Sequence, residues 1–301
     1  MGRIGPKSLA RAAVLATGIV CAQQQPVIRV DVRLVRLLVT VKDAESQLVG
    51  SLDKGLFQVF DSGVKQEIAV FERHTAQPLS IALLVDISAS TAKDLKYEIE
   101  SSARFLKTLT REGNPEDKLA LFTFNHEVTR QVGFTRDSGR VEKTLHHLKA
   151  EAGTSLYDAI LLGSQDLEDR GGRKVILVVT DGGDTTSRSS YQSALKAAHR
   201  ADASIYSIVV VPITNDAGRN TGGENALITL ARSTGGRAFF PAVGPALDHA
   251  FADILRDLRT QYLLGYYPRS LPPSKDRWRS VSVQINRPDL RASTRGGYYG
   301  E

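Results

Sequence analysis

Cysteine is almost missing from this chain: Cys21 is the only one in 301 residues. A single thiol excludes an internal disulfide and a thiolate metal site, so stability has to come from packing. Long apolar runs are missing too. The stretch from Ala12 to Val20 is well short of the roughly 18 to 20 residues that a membrane span needs. Aromatic residues make up only 7%, and no basic stripe with interleaved aromatics occurs. The formal charge of +6 therefore does not point to a nucleic-acid partner. Also absent are a G-x-S-x-G elbow, an H-E-x-x-H helix and a G-x-x-x-x-G-K-[ST] loop, which leaves the serine-hydrolase, zinc-protease and P-loop readings without their required pieces.

What is present begins with an export signal. Arg3, Lys7 and Arg11 precede the apolar stretch, and Val20-Cys21-Ala22 supplies small residues for cleavage before Gln23. Gly18 and Val20 stand where a lipoprotein signal wants leucine and a small residue, so lipidation at Cys21 is the lesser reading. Removing residues 1–22 leaves 279 residues and takes away three basic residues and no acidic ones. Half of the formal charge thus belongs to the signal. The expectation is an exported chain, secreted or periplasmic, with no membrane span once processed.

Apolar periodicity divides the remainder. From Ile28 to Leu34 and again from Val35 to Val41 residues alternate with period two, and the phase slip between them predicts a bulge or a strand crossing between sheets. Leu56–Phe60 and Gln66–Phe71 read as strands flanking the hairpin signal Asp61-Ser62-Gly63. After Pro78 apolar strands alternate with amphipathic helices, which predicts a mostly parallel sheet covered on both faces. The strands are 79–85, 119–124, 128–132, 175–180, 205–211 and 237–240; the helices fall at 92–110, 138–149, 156–167, 190–201, 224–233 and 245–260. The glycine-rich segment 215–224 reads as a surface connector. Beyond Gln261 the pattern returns to β and is too short to form a core alone, so it is expected to complete the N-terminal β unit. The division is a signal at 1–22, an N-terminal β unit at 23–77, an α/β domain at 78–260 and C-terminal strands at 261–301.

Two of the apolar strands run straight into aspartate: "LSIALLVDISAS" reaches Asp86, and "KVILVVTDGGD" reaches Asp181. In an open α/β sheet functional groups collect at the carboxyl ends of strands. Asp86, Ser88 and Ser90 alternate through a turning loop, and Thr154 in "EAGTSLYDAI" comes from a third loop. Two carboxylates and three hydroxyls form an all-oxygen donor set, the kind that hard divalent cations choose: Mg²⁺ first, with Ca²⁺ or Mn²⁺ as substitutes.

Asp86-Ile87-Ser88-Ala89-Ser90, Thr154 and Asp181 together resemble the D-x-S-x-S, T, D pattern of the metal-ion-dependent adhesion site in von Willebrand factor type A domains. The flanks "GSLDKGLFQVFDSGVKQEIAVFE", "YLLGYYP" and "RPDLRASTRGGYYG" are similar to those of an exported bacterial family related to it. The resemblance implies a Rossmann-like, doubly wound, mostly parallel six-stranded sheet with residues 128–132 as its antiparallel edge, beside a small β-sandwich-like unit built from both flanks. It also implies that Ser88, Ser90 and Thr154 contact the metal directly, while Asp86 and Asp181 bind it or hold its waters. Thr91 departs from the pattern, where methionine is frequent.

The function expected is capture of a protein partner's carboxylate through a bound Mg²⁺, without catalysis. One alternative is a Mg²⁺-dependent phosphohydrolase with Asp86 as nucleophile, but Ser88 occupies the place where a second acid is needed. Another is a metal-independent envelope scaffold. Among other polar residues, Ser90 or Thr91 with Asp94 reads as a helix cap, and Asp184 as a turn residue. His126, His146, His147 and His199 read as surface histidines. The pairs Tyr266-Tyr267 and Tyr298-Tyr299 read as strand packing.

Overall fold

The computed structural model describes residues 1–2, 34–73, 76–210 and 221–300. The signal segment beyond Gly2, Cys21 and the alternation from Ile28 to Arg33 lie outside the described residues. The described residues from Leu34 onward belong to one compact unit. Its first strand, β1 (Val35–Lys42), buries Val35, Leu37, Val39 and Val41 as the period of two requires. The next strands are β2 (Phe57–Asp61), β3 (Val64–Gln66) and β4 (Ile68–Glu72). Ser62 (φ 49°) and Gly63 (φ 81°) make the β2–β3 turn, whose two left-handed residues match the twist of a two-residue hairpin. The stretch 66–71, expected as one strand, is two: β3 ends at Gln66, and β4 pairs in a different sheet.

The α/β layer follows as β5 (Leu79–Asp86), α1 (Leu95–Glu112), β6 (Lys118–Phe124), β7 (Val128–Thr135), α2 (Ser138–Leu145), α3 (Leu156–Glu168), β8 (Arg173–Thr180), α4 (Tyr191–Ala201), β9 (Ala203–Val209), α5 (Thr221–Thr234), β10 (Ala238–Phe239) and α6 (Pro245–Thr260). Helix α5 starts at Thr221, so the C-terminal residues of the expected connector 215–224 are helical, and residues 215–220 lie outside those described. The six strands run β10-β9-β8-β5-β6-β7, all parallel except β7 at the edge. Central β5 is buried at all eight positions. Its alternate side chains feed two cores: Ile81, Leu83 and Val85 meet α1, α2 and α6, whereas Ala82 and Leu84 meet α3, α4 and α5. A strand clothed on both faces has no polar side, which is why its sequence is a continuous apolar run.

After α6 come β11 (Tyr262–Tyr266), β12 (Trp278–Ile285), β13 (Arg291–Ser293) and β14 (Gly297–Tyr299). They interleave with the N-terminal strands into two antiparallel four-stranded sheets, β13-β1-β11-β4 and β14-β12-β2-β3. Both flanks share one core of Leu37, Val39, Phe57, Val59, Tyr262, Leu264 and Tyr266. Asp61, fully buried, accepts hydrogen bonds from Tyr266 Oη at 2.8 Å, Tyr298 Oη at 2.7 Å and Ser62 Oγ at 3.1 Å. No helix among the described residues is long and apolar enough to cross a membrane.

Candidate metal centre

Strand β5 ends at Asp86, beside the end of β8. The Asp86 carboxylate is fully buried. Its Oδ1 accepts from the Ser88 backbone N–H at 2.8 Å, and its Oδ2 accepts from Thr180 Oγ1 at 2.6 Å. The first bond turns the chain at the strand end and sets Ser88 and Ser90 on the same side, with their hydroxyls 3.0 Å apart. Ser90 Oγ then donates to Asp181 Oδ1 at 3.2 Å. Ser88, Ser90 and Asp181 are thus joined in one hydrogen-bonded chain above Asp86, opening outward at exposed Ser90 and half-buried Asp181.

Thr154 is buried in a loop tied on three sides. Glu151 N–H donates to Ile87 O at 2.8 Å, Ser155 N–H to Asn125 O at 2.6 Å, and the Thr154 N–H to the hydroxyls of Thr185 and Thr186 at 3.0 and 3.1 Å. Gly153 makes this packing feasible: it adopts φ +87°, and a Cβ there would lie 2.8 Å from the Cβ of His126. The structure brings the Thr154 loop against the Ser88 segment through a bridge between Ser88 and Glu151. Among the described residues no hydrogen bond joins the Thr154 hydroxyl to the other four candidates.

The helix-cap reading of Thr91 does not hold. Its hydroxyl donates to Ser88 O at 2.8 Å, and Asp94 makes no side-chain cap. The 3-10 turn Ala89–Lys93 already places the Thr91 N–H on Ser88 O and the Asp94 N–H on Thr91 O. Asp184, read as a turn residue, also accepts from the Tyr157 N–H in the first turn of α3 at 3.2 Å. His199 is buried against Trp278, with ring centroids 4.8 Å apart, rather than exposed. Burial and the neighbouring Arg295 push it down to about 4. His126, His146 and His147 are exposed.

Electrostatics single out the strand ends. Burial raises Asp86 to about 6 against the bonds from Thr180 and Ser88, and Asp181 adds to the rise. Burial also raises Asp181, with the Ser90 bond opposing and Asp94 adding. Sequence reasoning missed two participants. Thr180, the last residue of β8, is invisible as a site residue because Thr is ordinary in strands. Glu98, in the first turn of α1, is fully buried, and neither of its carboxylate oxygens has a hydrogen-bond partner. Burial raises it well above the usual range, and Asp86, Asp181 and Asp94 all push the same way.

These features fit a hard divalent cation. Every donor is oxygen, and the buried acids repel one another, a cost that a cation removes. Among the described residues no group of three acidic, histidine or cysteine side chains is placed to hold a metal ion.

A family model for the von Willebrand factor type A domain matches residues 81–184, from the third residue of β5 to the acidic turn after β8. The chain contains a von Willebrand factor type A domain. The six-stranded sheet itself continues past that match through β9 and β10. Among solved structures, proximal thread matrix protein 1 from the mussel byssus is similar at 17% identity and a TM-score of 0.51, over 66% of this chain and 50% of that one. The conserved hypothetical protein BatB from Bacteroides thetaiotaomicron is 19% identical with a TM-score of 0.48, over 60% of this chain and 98% of its own. The von Willebrand factor domain of the type V pili tip protein Mfa5 from Porphyromonas gingivalis is 15% identical with a TM-score of 0.48, over 60% and 95%. No curated protein matches.

Proposed function

We propose that this is an exported binding protein whose A domain holds Mg²⁺ through Asp86, Ser88, Ser90, Thr154 and Asp181 and thereby captures a carboxylate of a partner protein. The observation that carries the reading is the hydrogen-bonded chain Ser88–Ser90–Asp181 set over buried Asp86 at the carboxyl ends of adjacent central strands. Ser88 and Ser90 present neutral donors, Asp181 faces the opening, and Asp86 holds the loop in its turn through the Ser88 N–H. Thr154 is held ready by a loop whose backbone is pinned by Thr185 and Thr186. A bound Mg²⁺ supplies a positive, electrophilic position for an external oxygen ligand. Nothing in the arrangement favours a nucleophilic Asp86: it is fully buried, and each of its oxygens already accepts a hydrogen bond.

The test pairs calorimetry with capture. Wild-type protein is expected to bind Mg²⁺ and, immobilised, to retain a partner in Mg²⁺ but not in EDTA. Asp181→Ala is expected to lose both while its metal-free melting temperature stays level or rises. A partner retained equally in EDTA would sink the proposal, and a large loss of metal-free stability in Asp181→Ala would make Asp181 a structural cap.

A further inference from the structure

Helix α1 buries the stripe Leu95, Ile99, Phe105, Leu106 and Leu109 against the sheet. Two polar residues one turn apart lie on its buried side as well, Glu98 and Ser102, both fully buried. Neither Glu98 oxygen nor the Ser102 hydroxyl has a hydrogen-bond partner among the described residues. A buried carboxylate left unmatched is costly, and the large majority of buried polar groups in stable proteins are hydrogen-bonded. Every charged group acting on Glu98 is another acid: Asp86, Asp181 and Asp94. No cation among the described residues offsets it, so without one it stays a neutral acid, and a cation entering beside it from outside the chain lets it ionise.

The position of Glu98 says where from. It stands in the first turn of α1, just after the 3-10 turn Ala89–Lys93 that carries Ser90, and it senses both candidate acids of the site. It does not join Asp86 and Asp181 as a third direct ligand, since no such three-acid cluster forms. We infer that Glu98 is a positioning residue of the cation site: a carboxylate behind the ligands, whose charge the bound divalent ion balances and whose presence tightens the site for that ion. This deepens the Mg²⁺ reading above and rests on it. Buried Asp86 and Glu98 with half-buried Asp181 beside one divalent ion leave a site that attracts the cation strongly and softens its pull on an external carboxylate. Removing Glu98 is therefore expected to have opposite effects on the two binding steps.

The experiment uses the full chain, with MgCl₂ as the first probe and a synthetic glutamate-containing peptide as the second. Replacing a residue just behind metal ligands commonly lowers affinity about 10- to 100-fold, and that loss is expected by calorimetry for Glu98→Gln and for Glu98→Met, which keeps the bulk. In EDTA both variants are expected to melt at or above the wild-type temperature, because an unmatched buried acid has been removed. At Mg²⁺ concentrations that saturate each protein, the variants are expected to bind the peptide at least as tightly as wild type. Unchanged Mg²⁺ affinity in both variants overturns the inference while leaving the proposed function standing. Lower melting temperatures in EDTA overturn it too, by making Glu98 a structural residue. Wild-type protein that binds no Mg²⁺ overturns both together.

Discussion

Asp86 carries two loads that pull against each other. Its hydrogen bonds shape the loop, while its burial makes the ionised form expensive. In metal-free protein the unfolded carboxyl releases its proton near 3.8 and the folded one near 6. Between these values the folded chain binds the extra proton, so stability falls as pH rises from about 3.8 to about 6 and levels off above. The difference is worth about 3 kcal/mol by pH 7.5. Asp257, also raised to about 6 by burial, acts in the same direction, whereas His199, held at about 4, gains stability with rising pH. The measurement that isolates Asp86 is the difference between wild type and Asp86→Asn. Asparagine can still accept from the Ser88 N–H and can donate to Thr180. In EDTA, chemical denaturation is expected to show Asp86→Asn gaining on wild type by about 2 kcal/mol between pH 4.5 and 7.5. A difference that stays flat with pH would show that Asp86 is ionised at low cost.

At the scale of elements, the site depends on three loops held at fixed separations, and the Thr154 loop depends on Gly153. An alanine there meets both the positive φ and the backbone of His126, with N and Cα each 2.9 Å from the added Cβ. Gly153→Ala is expected to lower Mg²⁺ affinity at least tenfold and to cost about 1–3 kcal/mol of stability, measured by calorimetry and urea titration; unchanged affinity would show that Thr154 is no ligand. The strands and helices of this layer were legible because buried β5 and β8 read as unbroken apolar runs into aspartate, and α6 occupies the expected 245–260. Where reading failed, local pattern lost to tertiary demand. Three apolar positions in 66–71 looked like one strand, but β3 and β4 belong to opposite sheets. The short β13 and β14 exist only because β1 and β12 supply partners. Asp86, Ser88, Ser90 and Asp181 were found together, since each follows a strand end. Glu98 was hidden because an acid beside an apolar stripe normally faces water; its spacing of three from Leu95 and seven from Phe105 was the signal available.

The whole molecule keeps its two structural jobs at opposite ends of one sheet. Parallel strands of the A domain present the candidate site at their carboxyl ends, while both flanks leave from the other end: β4 precedes β5 closely, and β11 follows α6, whose Leu258 carbonyl accepts from Arg173 at the start of β8. Eight residues of β5 separate these ends by about 23 Å at roughly 3.3 Å per residue. The flanking sheets are locked by Asp61, on which Tyr266 from β11 and Tyr298 from β14 converge. Removing one of these hydroxyls leaves a buried carboxylate short of a donor, at a cost of about 1.5–3 kcal/mol. Tyr266→Phe is thus expected to lower the unfolding free energy measured by urea titration by that amount with Mg²⁺ affinity intact, because nothing at the carboxyl ends of the A-domain strands has moved. If cation affinity fell with stability, the flanking sheets would be holding the site itself, and the separation of scaffold from site along the length of β5 would be wrong.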